Sequence, residues 1–152
     1  MSGRTLQHPG TGRPCVILPT AKLAEAPPHS GSGSKYVLVI VGAGDGLGLS
    51  VAHARAWLDV GAAYICAWGP GASAVEECFD YASFLPELGV PLPYTLLTTS
   101  HERESLSEAL WFAFWSSAPP EDLASDLDLV VILPESDTLA QQVRSWVETN
   151  VA

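Results

Sequence analysis

The sequence predicts a doubly wound α/β domain with a mainly parallel sheet. Three observations carry that expectation. The apolar run YVLVIVG (Tyr36–Gly42) breaks into the glycines of GAGDGLG and resumes with helical periodicity, as the opening strand–turn–helix of a parallel sheet does. Strand-length apolar runs then alternate with helix-length amphipathic stretches along the rest of the chain. The connections are short, which favours right-handed crossovers and strands running in one direction with helices on both faces.

Residues 1–35 are rich in Gly, Pro and Ser, and PPHSGSGS (Pro27–Ser34) reads as a linker. This N-terminal tail holds one short apolar segment, CVILP at 15–19. It is expected to add an edge strand, because the prolines around it exclude a central one. Residues 36–152 are expected to form a single α/β domain. Its first strand, Tyr36–Gly42, is apolar throughout and therefore covered on both faces. Leu47–Val60 reads as a helix with Val51, Ala54 and Leu58 on one stripe, ended by Gly61 at C′. AAYICAW (Ala62–Trp68) is the second strand and GPG (Gly69–Gly71) breaks it. Ala72–Phe84 is the second helix, with Val75, Phe79 and Ala82 inward, and Pro86–Pro93 is a loop.

YTLLTT (Tyr94–Thr99) is the third strand. The third helix has two starts available, since Thr99/Glu102 and Ser105/Glu108 both have capping-box spacing. Its body, SLSEALWFAFW, is apolar over more than half its circumference, with Leu106, Leu110 and Phe114 on one stripe and Trp111 and Trp115 on the next. Such a helix is either sandwiched in the core, which is the expectation, or meets a partner, for which a homodimer is one arrangement. After a polar loop at Pro119–Asp126, LDLVVIL (Leu127–Leu133) is the fourth strand and Pro134 ends it. Asp137–Glu148 is the last helix, with Leu139, Val143, Trp146 and Val147 inward. The expected sheet is four-stranded, in the flavodoxin-like (Rossmann-like) order 2-1-3-4.

Composition narrows the function classes. A formal charge of −10 with seven Lys and Arg repels a phosphate backbone, which argues against nucleic acid and for a basic protein partner or a cation. Cys15, Cys66 and Cys78 include no C-x-x-C pair, which suits a reducing compartment and argues against a disulfide scaffold or a zinc site. No export signal is visible and no run approaches the ~18 apolar residues of a membrane helix, so the cytoplasm is expected.

GAGDGLG fits G-x-x-x-G-x-G on Gly42, Gly46 and Gly48, and Val39–Trp68 resembles the opening βαβ unit of the short-chain dehydrogenases. The resemblance implies a dinucleotide-type turn, but the chemistry of that family does not carry over. Its Tyr-x-x-x-Lys is absent, since Tyr81 is followed by Leu85 and the lysines are Lys22 and Lys35. Trp68 stands where a ribose-binding acid belongs. The blocks YICAWGPG, LTTSHE and SEALWFAFW are similar to an uncharacterised bacterial α/β domain family, from Tyr36 to about Pro134, which implies the fold and no activity.

Ligands of open parallel sheets bind beyond the carboxyl ends of the strands. The candidate ligand-binding residues there are Gly42, Gly44, Asp45, Gly46, Gly48, Trp68, Gly69, Thr99, His101 and Glu102. Asp45, Glu102, Glu104, Glu135 and Asp137 make the rim acidic, with Arg103 as its one cation. Oxygen ligands of this kind suit magnesium or manganese, yet acids also belong at helix N-termini for capping alone, and no metal set is assigned. Cys66 reads as packing and His53 as a half-exposed helix residue. Ser100, His101 and Glu102 spell a nucleophile–base–acid trio, but sequence neighbours rarely form one, and G-x-S-x-G is absent. No catalytic residue and no cofactor are assigned. The expected function is a non-enzymatic accessory or protein-binding module that masks a basic partner. The alternative is a small nucleotide- or metal-binding enzyme that uses the glycine loop.

Overall fold

The computed structural model describes residues 4–8, 10–18, 35–42, 49–85, 87, 90–119, 121–123, 127 and 129–149. They form strands β1 (Arg4–Gln7), β2 (Pro14–Ile17), β3 (Tyr36–Val41), β4 (Ala62–Trp68), β5 (Leu97–His101) and β6 (Leu129–Pro134), and helices α1 (Val51–Asp59), α2 (Ala72–Phe84), α3 (Leu106–Trp115) and α4 (Asp137–Thr149). The sheet has six strands rather than the four expected, in the order β1-β2-β6-β3-β4-β5. All neighbours are parallel except β1 and β2.

The expected strand order is corrected as well. The third and fourth of the expected strands, β5 and β6, exchange edge and interior. β6 (LVVILP) is buried at five of its six positions and pairs with β3 on one side and β2 on the other. β5 (LTTSH) is half-buried at four of its five positions and forms the far edge. The physical reason is solvation: a Thr–Thr–Ser run tolerates an edge, whereas an all-apolar run needs cover on both faces. The chain therefore steps from β3 to β4 to β5 in one direction and returns across β4 and β3 to reach β6. Right-handed crossovers made in opposite directions put their helices on opposite faces. Accordingly α1 and α2 pack on Leu38, Ile40, Ile65 and Ala67, while α3 and α4 pack on Val37, Val39, Cys66 and Ile132.

The N-terminal segment also departs from expectation. It supplies two strands, and the one that was expected at the edge is covered by the other. Pro14 is accommodated as the first residue of β2, where it faces Gln7 across the antiparallel pair. The linker at Pro27–Ser34 lies outside the described residues. Local starts and stops follow their chemistry. Ser50 accepts the His53 N–H at 3.1 Å, so α1 begins at Val51 rather than at Leu47. Gly61 (φ 122°) ends it as expected. Of the two capping pairs, Ser105/Glu108 is used, because residues 99–101 belong to β5, which begins at Leu97 rather than Tyr94. On α3 the Leu110/Phe114 stripe is buried, whereas Trp111 and Trp115 are 49% and 40% exposed, so the core expectation holds for one stripe only. No helix among the described residues is long and apolar enough to cross a membrane.

None of the four helices carries a basic residue in its last turn. Two arginines from other elements serve helix C-termini instead. Arg13, just before β2, donates through Nη1 to Ala113 O (3.3 Å), Phe114 O (2.8 Å) and Ser117 Oγ (3.1 Å) at the end of α3, and through Nη2 to Leu127 O. Arg55 on α1 donates to Asp59 Oδ1 (2.9 Å), to Ala82 O near the end of α2 (3.2 Å) and to Val90 O. A cation at a helix C-terminus is favourable, and here each also satisfies carbonyls that the fold buries. Arg13→Met keeps the stem but orphans those carbonyls. It is expected to lower the unfolding free energy in urea by about 2–4 kcal/mol, with Arg13→Lys recovering only part because an ammonium cannot fork between them.

The β1–β2 turn inserts His8 fully buried between α3 and α4. Its ring stacks on Phe114 (4.6 Å) and meets Trp146 (5.3 Å) and Trp115 (5.9 Å). Nδ1 accepts the Thr11 N–H (3.1 Å), and Nε2 has no hydrogen-bond partner. Burial, and then the charge of Arg13, hold His8 below its ordinary pKa of 6.5. Above that value both folded and unfolded His8 are neutral. Below it the unfolded chain takes up a proton that the folded chain resists, so stability is lost as pH falls through this window. The variant His8→Phe keeps the stack and cannot titrate. Between pH 6.5 and 5 the melting temperature of the wild type is expected to fall relative to that of His8→Phe; parallel curves would mean that His8 carries no such linkage.

Candidate functional site

The carboxyl ends of β3, β4, β5 and β6 converge on one rim because these four strands are parallel neighbours. Of the expected site residues, Gly44, Asp45, Gly46 and Gly48 lie outside the described residues. Gly42 follows β3 with φ 90°, and its N–H donates to Trp68 O at 2.9 Å. A Cβ there would lie 2.7 Å from Leu139 Cδ1 and 2.9 Å from Glu135 Cβ. Close approach of the β6–α4 turn, together with the left-handed backbone, therefore explains this glycine.

Trp68 ends β4, and its Nε1–H donates to the Glu104 carbonyl at 2.8 Å. Gly69 (φ 122°) turns the chain there, with its N–H 3.5 Å from His101 O. Glu102 reaches over to α2, where Oε1 accepts the Ser73 N–H at 2.9 Å. It replaces the side-chain cap that Gly71 cannot supply. The hydrogen bonds from Ser73 hold the Glu102 carboxyl below its ordinary range.

His101, the last residue of β5, is buried (5% exposed) and satisfied at both nitrogens. Nδ1 lies 2.6 Å from Glu104 Oε2, and Nε2 lies 3.0 Å from Thr99 Oγ1. Phe112 packs over the ring, with centroids 4.9 Å apart. The trio spelled by Ser100, His101 and Glu102 is not assembled. Glu102 is engaged with α2, and strand alternation turns Ser100 to the face opposite Thr99 and His101. The acid that pairs with His101 is Glu104, which sequence reading placed on the rim without a role. Its signal is an i, i+3 His–Glu spacing across the turn out of β5, legible only once that strand is known to extend to His101.

Cys66 stands beside Thr99 in the β4–β5 register and is 1% exposed. Burial pushes its thiol up to about 12, so it is a packing thiol rather than a nucleophile. His53 is exposed on α1. Among the described residues, no three His, Cys, Asp or Glu side chains gather as a metal-holding group. Three of the four described rim acids have structural uses: Glu102 caps α2, Glu104 pairs with His101, and Asp137 lies in the first turn of α4. The substitution Gly42→Ala is expected to cost about 2 kcal/mol or more in urea unfolding, from left-handed strain plus the clash with Leu139 and Glu135. A neutral result would show that the β6–α4 turn can withdraw.

No curated protein and no solved structure matches the chain. One family model does match, over residues 16–149, which takes in the second half of β2, strands β3 to β6 and all four helices. With most of the chain inside that match, it belongs to the family described as Domain of unknown function (DUF7684).

Proposed function

We propose that this chain is a protein-binding module that holds a basic segment of its partner on the outer face of α3. The observation that carries the reading is the indole pair Trp111 and Trp115, stacked with centroids 6.4 Å apart and planes 25° apart, while 49% and 40% exposed. α3 already buries Ala109, Leu110, Ala113 and Phe114 against the sheet, so these indoles contribute little to the core. Large exposed aromatics of this kind are typical anchors of interfaces. Glu108 is exposed three residues before Trp111 on the same side of the helix. With a net charge of −10 behind it, this face suits an arginine-bearing segment whose guanidinium stacks on an indole. The same charge opposes a second copy of the chain, since two such bodies repel. The three free cysteines suit a reducing compartment, so the partner is sought in the cytoplasm.

The test is calorimetric titration with an arginine-rich peptide, a lysine-rich peptide and a glutamate-rich control. The arginine peptide is expected to bind best, with affinity falling as salt rises from 50 to 300 mM, roughly a Debye-length change of 14 to 6 Å. Trp111→Ser with Trp115→Ser is expected to weaken it about 10- to 100-fold. Equal affinity in the double variant would remove α3 from the reading. Concentration-dependent dimerisation that the same variant abolishes would replace the basic partner with a second copy.

A further inference from the structure

We propose that Thr99, His101 and Glu104 form an acyl-transfer site that cleaves small uncharged carboxylic esters, with Thr99 as nucleophile, His101 as proton carrier and Glu104 as a positioning residue. The connectivity is that of an acid–histidine–alcohol relay: Glu104 Oε2 to His101 Nδ1 at 2.6 Å, and His101 Nε2 to Thr99 Oγ1 at 3.0 Å. The direction of the hydrogens follows from the carboxylate. Glu104 accepts only, so His101 Nδ1 is the donor to it. Nε2 of the neutral ring is then the acceptor, and the Thr99 hydroxyl donates to it. This is the tautomer in which Nε2 can take a proton from the hydroxyl.

The surroundings fit a reacting carbonyl. β5 is the last strand of the sheet, so among the described residues no strand pairs with its outer side. His101 O accepts the Gly69 N–H on the β4 side, and alternation therefore turns the backbone of Ser100 outward. Its N–H, adjacent to the nucleophile, is in place for the oxygen of a tetrahedral intermediate. On the same face, at the amino end of β5, lies a cavity of about 530 Å³ lined by Tyr64, Thr95, Leu97, Ser116 and Asp122, and by none of Thr99, His101 and Glu104. Phe112 lies between the two, 4.9 Å from His101 and 6.3 Å from Tyr64, as an apolar wall. Glu102 and Glu104 are exposed at the rim and disfavour an anionic substrate.

In the reaction, Oγ of Thr99 attacks the ester carbonyl carbon while its proton passes to Nε2. The carbonyl electron pair moves to oxygen, then returns as the C–O bond to the alcohol breaks. His101 gives the proton to the departing alkoxide, which leaves as the alcohol. Water attacks the acyl-threonine in the same way, losing a proton to Nε2. The bond to Oγ breaks, Thr99 recovers its proton, and the carboxylic acid leaves. Ester and water give acid and alcohol, with no further reactant.

The experiment is hydrolysis of p-nitrophenyl acetate by the full chain, with rapid acid quench and peptide mapping of the acetylated protein. The wild type is expected to carry the acetyl group on Thr99 and to turn over. Thr99→Ala and His101→Gln are each expected to lower the rate about 100-fold or more, with Thr99→Ser remaining active. Glu104→Gln is expected to lower kcat at least about tenfold with KM unchanged, a split that loosened packing alone would not produce. Circular dichroism establishes that each variant is folded. If Thr99→Ala does not fold, the mapped acetyl group and the activity of Thr99→Ser decide the matter. A mono-succinate ester of p-nitrophenol is expected to react more slowly than the acetate, and equal rates would overturn the substrate charge preference. Wild-type hydrolysis no faster than that of folded Thr99→Ala, inactive Thr99→Ser, or an acetyl group on another residue would overturn the site.

Discussion

The return of the chain from β5 to β6 is the constraint on which the rest of this fold depends. The polar strand must stay at the edge and the apolar one must enter the middle, so α3 has to carry the chain back across β4 and β3 on the face that α1 and α2 leave open. At the end of that path the Ala113 and Phe114 carbonyls are partly buried. A cation is needed there, and the helix has none in its last turn. Arg13 supplies it from the β1–β2 turn, and in doing so ties that turn to both α3 and Leu127. The hairpin, the crossover and the approach to β6 are thus held by one guanidinium. Its planar fork suits this work where an ammonium would not.

The same economy governs the acids. In a chain with seventeen Asp and Glu, the carboxylates near the rim look at first like ligands in search of a cation. Their hydrogen bonds say otherwise. Between His101 and Leu106, Glu102 caps α2, Glu104 holds His101, and Ser105 with Glu108 caps α3. The Trp68 indole fastens the backbone of the same turn through the Glu104 carbonyl. A short segment therefore fixes two helix starts and one buried imidazole. Charge that reads as a cation site in one dimension is here hydrogen-bonded to the protein's own groups.

What was legible in the sequence follows from how local each signal is. The second strand and second helix, Ala62–Trp68 and Ala72–Phe84, are found where glycine punctuation and periodicity put them. The strand order was misread as 2-1-3-4, although the residues carry the right one: Thr98, Thr99 and Ser100 mark an edge, and Val130–Leu133 a centre. Reading YTLLTT as the strand began β5 three residues early and ended it at Thr99, two residues short. That left His101 in a turn and hid the face it shares with Thr99, and with it the partnership of His101 with Glu104. The burial of His8 had no local signal at all. A histidine before Pro9 in a glycine-rich turn looks exposed until α3 and α4 are placed around it.

α3 is pulled three ways by its surroundings, and its composition records each demand. Leu110 and Phe114 must cover the central strands, Phe112 must cover the end of β5, and the side that remains faces solvent. A helix designed only for packing would be polar on that last side, yet it holds Trp111 and Trp115. Two indoles in water favour association, and in a chain of low net charge they would favour association with itself. A charge of −10 opposes the approach of like bodies and favours that of oppositely charged ones. The two features are better understood together than either is alone.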